Sequence, residues 1–144
     1  MAGPFTDIWE SLQNAAQDIK GNISDATRKK TDKLIDDWLE IFPQLEVYGL
    51  RISSFSLSLA LSPALRVELL GKHEDWPLER LDRLVAESKG KTALNTVLST
   101  MRTTYRLHRK TSASLESPLI VTVIVRITPE VRVTLGVPRL ESGE

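Results

Sequence analysis

The side chains in this chain that could do chemistry are few and scattered. His73-Glu74-Asp75 places an imidazole beside two carboxylates, the types that hold a metal ion or share a proton. Consecutive side chains diverge, however, so a short polar run of this kind is first a solvated connector. Arg102, Arg106, Arg109 and Lys110 fall within nine residues with no acid between them, at spacings that share one helical face. Such a face could take an anion: a phosphate-bearing ligand, a lipid headgroup or nucleic acid. Its plainer role is a solvated face that stabilises the C-terminal end of its own helix, with His108 adding to the same effect.

Other chemistry is excluded by composition or missing from the pattern. There is no cysteine, which removes disulfides, thiolate metal sites and thiol nucleophiles. The seven glycines are scattered singly, so neither a phosphate cradle nor a dinucleotide fingerprint can be built from them. No Gly-x-Ser-x-Gly elbow and no His-Glu-x-x-His helix occurs. An enzyme would need carboxylates such as Asp36, Asp37 or Glu68 to converge in a pocket, and no spacing requires it. The expectation is a non-enzymatic protein with no metal and no cofactor.

Lys and Arg number 19 and so do Asp and Glu, so the chain lacks the basic footprint of a nucleic-acid coat. With 144 residues, 41% of them hydrophobic, it can bury one real core. The opening MAGPFTDIWESLQ has neither the basic nor the apolar region of a secretory signal. No run approaches the roughly 20 apolar residues of a transmembrane helix. These features predict a cytoplasmic protein, with peripheral membrane association as the variant.

The elements that must position these residues are legible from periodicity. Residues 1–42 predict an amphipathic helical region, with Ile8, Leu12 and Ile19 on one stripe and Leu34, Ile35, Trp38, Leu39 and Phe42 on a denser one, stopped by Pro43. Residues 43–138 predict an α+β core: a hairpin over 44–71, helices over 77–89 and 92–110, and a second hairpin over 118–136. Gln44 to Ile52 reads as strand, with Ser53-Ser54 a bulge or change of phase. Thr92 is expected to cap the second helix, whose inward residues are Leu94, Val97 or Leu98, Met101 and Tyr105. Residues 139–144 predict a frayed tail.

The two hairpins resemble one another. FSLSLALSPALRVELLG and VTVIVRITPEVRVTLG align with Pro63 over Pro129 and Arg66 over Arg132. A duplicated αββ unit would give an antiparallel sheet of about four strands packed with helices, and a pseudo-twofold axis between the halves. Strand 119–127 is apolar on both faces: Leu119, Val121, Val123, Val125 and Ile127 on one, Ile120 and Ile124 with Thr122 and Arg126 on the other. Strands of this type are usually buried on both sides, so the extra face must meet something.

Candidates for that contact are Ile8, Trp9, Leu12, Ile19, Trp38, Leu57, Leu59, Val123 and Val125. The functional expectation is an interaction or assembly protein that buries these faces in a homo-oligomer or against a protein partner. A lipid or hydrophobic-ligand binder, or a peripheral membrane protein, is the alternative. A small enzyme without a familiar motif is the third.

Overall fold

The computed structural model describes residues 33–58 and 63–138. Residues 33–39 are helical and lead through Glu40 into α1 (Ile41–Tyr48). Strands β1 (Arg51–Ser58) and β2 (Ala64–Gly71) follow, then a short 3-10 turn (His73–Asp75) and the helical hairpin α2 (Leu78–Glu87) and α3 (Thr92–Arg109). Strands β3 (Leu119–Val125) and β4 (Glu130–Leu135) close the fold. The class is α+β, with one antiparallel sheet in the order β1-β2-β3-β4. The segment 1–32, the tail 139–144, and with them Ile8, Trp9, Leu12 and Ile19, lie outside the described residues, as does Leu59.

One face of the sheet makes the core. Leu65, Val67 and Leu69 of β2 stand directly beside Val125, Val123 and Val121 of β3, and all six are fully buried. Leu81, Leu84 and Val85 of α2 and Leu94, Val97, Leu98, Met101 and Tyr105 of α3 complete the same cluster, as their helical spacing requires. Phe42, Leu45 and Leu50 add the α1 side. Arg80 ties α2 to the end of α1: its guanidinium donates to the Tyr48 and Asp75 carbonyls and lies 4.5 Å from the Trp76 ring centre.

The hairpin repeat extends to register. Ser56 pairs with Arg66 and Leu57 with Leu65; 66 positions later Thr122 pairs with Arg132 and Val123 with Val131. Pro63 and Pro129 each stand one residue before the return strand, where a missing N–H costs no ladder bond. The order β1-β2-β3-β4 replaces the expected pseudo-twofold, however. Mapping β1 onto β3 and β2 onto β4 shifts the hairpin two strands along the sheet without rotating it.

Three local expectations are corrected. Residues 44–48 are helix, and Pro43 does not stop it. As the third residue of α1, Pro43 lies in a first turn whose N–H groups have no intrahelical acceptor. The helix ends instead at Gly49, whose φ of 118° is left-handed; its N–H donates to the Glu46 carbonyl and the Leu50 N–H to the Leu45 carbonyl. The first hairpin therefore spans 51–71 rather than 44–71. Thr92 is the first residue of α3 and not its cap; Lys91 holds that position, without a side-chain capping bond. The bulge at Ser53 is present, as a register shift between Ile52 and Ser54. It lets Ile52 and Phe55, three apart, both face the core.

Gly71 shows why the core side of β2 ends without a side chain. A Cβ there would come within 2.7 Å of Leu50 and 3.2 Å of Leu119, both buried. Gly136, just past β4, has φ 91°, and its N–H donates to the Pro118 carbonyl.

Candidate interaction surface

The opposite face of the sheet is built from the alternate residues of the same strands. Ladder registers arrange it in rows. Ser56, Arg66, Ile124 and Glu130 stand side by side across the four strands, then Ser54, Glu68, Thr122 and Arg132, then Arg51, Leu70, Ile120 and Thr134. None of Leu70, Ile120 and Ile124 belongs to the hydrophobic cluster under the helices. All three are half-buried, and Thr122 is buried between its neighbours. Among the described residues no helix packs on this face.

The charges on it are ordered. Arg66 and Glu68 flank the β3 residues on one side, Glu130 and Arg132 on the other, so opposite signs face each other across Ile124 and again across Thr122. Glu130 also holds Arg126 and Arg132 at 3.1 Å each. Glu68 accepts a hydrogen bond from Ser53 Oγ at 3.1 Å, which links the bulge to the same face. Ile124 lies between the charges of its row, and Leu70 and Ile120 form an apolar pair in the row beyond Glu68, Thr122 and Arg132.

Residues nominated from the sequence distribute differently. Val123 and Val125 are fully buried and Trp38 is nearly so, all within the chain's own core. Leu57 is half-buried against that core from the edge strand. The missed residues are Arg66, Glu68, Glu130, Arg132 and Leu70. Their signal was the strand alternation itself, but only the strand order shows that β2 and β4 flank β3 and bring those charges together.

The basic cluster resolves into two parts. Arg106 and Arg102 reach Asp82 of α2 at 2.9 and 3.5 Å, so α2 supplies the acid that the local sequence lacks. These pairs are substantially exposed and worth little to stability. Arg109 and Lys110 are exposed at the C-terminal end of α3, where cations favour the helix.

His73 is more than a connector. Its Nε2 lies 2.6 Å from the Glu116 carbonyl and its Nδ1 lies 2.7 Å from Tyr105 Oη. A carbonyl only accepts, so Nε2 carries the proton that donates to it; in the neutral ring Nδ1 then accepts from the tyrosine hydroxyl. The imidazole thus ties the exit of β2 to α3 and to the approach of β3. Glu74 and Asp75 remain exposed, and among the described residues no three His, Asp or Glu side chains gather as a metal site needs.

Burial pushes the Tyr105 phenol well above its ordinary value of about 10. Above that pH the unfolded chain loses the proton while the folded chain keeps it, so this group's contribution to stability falls as pH rises further. Tyr105→Phe should cost about 0.5–1.5 kcal/mol at neutral pH through the lost hydrogen bond. It should also make the alkaline loss of stability shallower. Urea unfolding of both proteins at pH 7 and above pH 10 checks both effects, and parallel pH curves would contradict the second.

A groove of about 430 Å³ lies between the first described helical residues and the start of α3, lined by Asp37, Glu40, Ile41, Gln44 and residues 90–94. Its two carboxylates and Lys91 beside Ile41 and Leu94 make a mixed lining unlike one for an acyl chain. Among the described residues no helix is long and apolar enough to cross a membrane. Compared with family models, curated proteins and solved structures, the chain matches none.

Proposed function

We propose that this chain is a non-catalytic interaction protein whose contact surface is the outer face of its sheet. The observation that carries this reading is the set of half-buried residues Leu70, Ile120 and Ile124, which stand outside the core; Arg66 and Glu130 flank Ile124, and Glu68 and Arg132 flank Thr122 in the row between Ile124 and Ile120. Burial of apolar surface drives protein association, and among the described residues the helices pack on the other face. The reading keeps the expected class of function but moves the surface from Trp38, Val123 and Val125 to the alternate strand residues.

The test uses the full chain in lysate of the cell that makes it. Gel filtration should find the wild-type protein in a species larger than the chain. Ile120→Ser with Ile124→Ser should shift it to the size of the single chain while leaving the circular dichroism spectrum unchanged. Elution of the wild type at single-chain size both in lysate and as the concentrated pure protein would sink the proposal.

A further inference from the structure

We infer that the partner of this outer face is a second copy of the chain, docked sheet against sheet about a twofold axis. The inference rests on the interaction reading above and commits it to one occupant. What favours a second copy is the placing of four charges. Arg66 and Glu68 sit on β2, Glu130 and Arg132 on β4, in two adjacent rows that run Arg66–Ile124–Glu130 and Glu68–Thr122–Arg132.

Consider two such faces opposed, as aligned sheets pack about 10 Å apart. With the twofold along β3, Arg66 lies over the other copy's Glu130, and Glu68 over its Arg132. Ile124 then meets Ile124. With the twofold across the strands, between the two rows, Arg66 lies over Glu68 and Glu130 over Arg132. Ile124 then meets Thr122. Either axis brings these four charges to opposite signs, but the axis along β3 also sets Arg126, which pairs with Glu130 on this face, over the other copy's Arg126; the axis across the strands is therefore the self-complementary one. Two residues of each sign at diagonal corners produce this result; swapping the signs on one strand alone would set like charges together about the axis along β3.

The side chains are free to make the exchange. Arg66 and Arg132 are exposed, Arg66 has no ion pair with the described residues, and the Glu130 pairs are themselves partly solvated. The patch is small, four strands wide at about 4.8 Å spacing. It therefore belongs with transient complexes below about 1,200 Å² of total buried area, and the pair should form in the micromolar range or weaker.

Sedimentation equilibrium of the full chain, from about 5 to 500 µM, reads the monomer–dimer constant directly. The wild type should dimerise within that range. A variant carrying Arg66→Glu and Arg132→Glu makes all four corners acidic, and one carrying Glu68→Arg and Glu130→Arg makes them all basic. Each alone should self-associate at least about tenfold more weakly, because like charges now meet. Their equimolar mixture should recover a one-to-one dimer within about threefold of the wild-type constant.

Should either variant lose its fold by circular dichroism, the wild-type dimer still carries a second test. Between about 0.1 and 1 M salt the screening length falls from about 10 to 3 Å, and the dimer should weaken at least about threefold. A wild type that stays monomeric to the top of the range overturns self-pairing. So does a dimer that ignores both charge reversals, or one that ignores salt. A monomer in pure solution together with a large species in lysate would remove the second copy and keep the interaction reading with another protein.

Discussion

Val123→Asp is expected to abolish the folded state. Val123 lies in an interior strand, between Val67 of β2 and Val131 of β4, and is fully buried. Ser88 and Thr122 are the buried polar residues among those described, so the core offers a carboxylate no cation. Burying such a charge without a partner costs several kcal/mol even after relaxation. A domain of this size has only about 5–15 kcal/mol to lose. Ile124→Asp, one residue on, is the control. Its side chain is on the outer face beside Arg66 and Glu130, and the fold should survive. Far-ultraviolet circular dichroism and thermal melting distinguish the two variants. A Val123→Asp protein that melts like the wild type would place this side of β3 outside the core.

Leu45→Ala and Val47→Ala should differ sharply although the residues are two apart. In a strand they would share a face; in α1 they do not. Leu45 is 0% exposed and Val47 is 78% exposed. Truncating a fully buried leucine removes its transfer free energy and leaves a cavity, about 2–5 kcal/mol together. Truncating Val47 should change stability by no more than about 0.5 kcal/mol. Denaturant unfolding of the two variants measures the gap, and equal losses would restore the strand reading of 44–48.

That contrast also locates the limit of what the sequence discloses here. The α2 and α3 residues, and the alternating strands β2 and β3, carried strong periods and lie where those periods place them. Val47 and Tyr48 are β-favouring types after a proline, and tertiary packing of Leu45 overrides the local preference. The deciding signal was Gly49, a left-handed C-terminal stop that can be recognised only once the helix is allowed past Pro43. His73 was obscure for another reason. Its partners lie 32 and 43 residues away, beyond anything local types can register.

The candidate surface was half legible. Ile120 and Ile124 announced a second apolar face on β3, but the charges around them come from β2 and β4. Their alignment into rows depends on strand order, and a pseudo-twofold arrangement of the same hairpins would have scattered them. Trp38 stands as a candidate for its amphipathic ring, and Val123 and Val125 for their apolar strand face. Apolar surface also puts a residue in a core, and here the core takes all three.

The register shift at Ser53 bears on how such a molecule avoids polymerising. In the described sheet β1 and β4 have open edges, each a template on which another strand could be laid without end. The bulge breaks the even spacing of β1 beside Arg51, while β4 carries Glu130 and Arg132 along its length. Both devices discourage growth in the plane of the sheet. Pairing through the face about a twofold consumes the surface it uses, so assembly by that route stops at two.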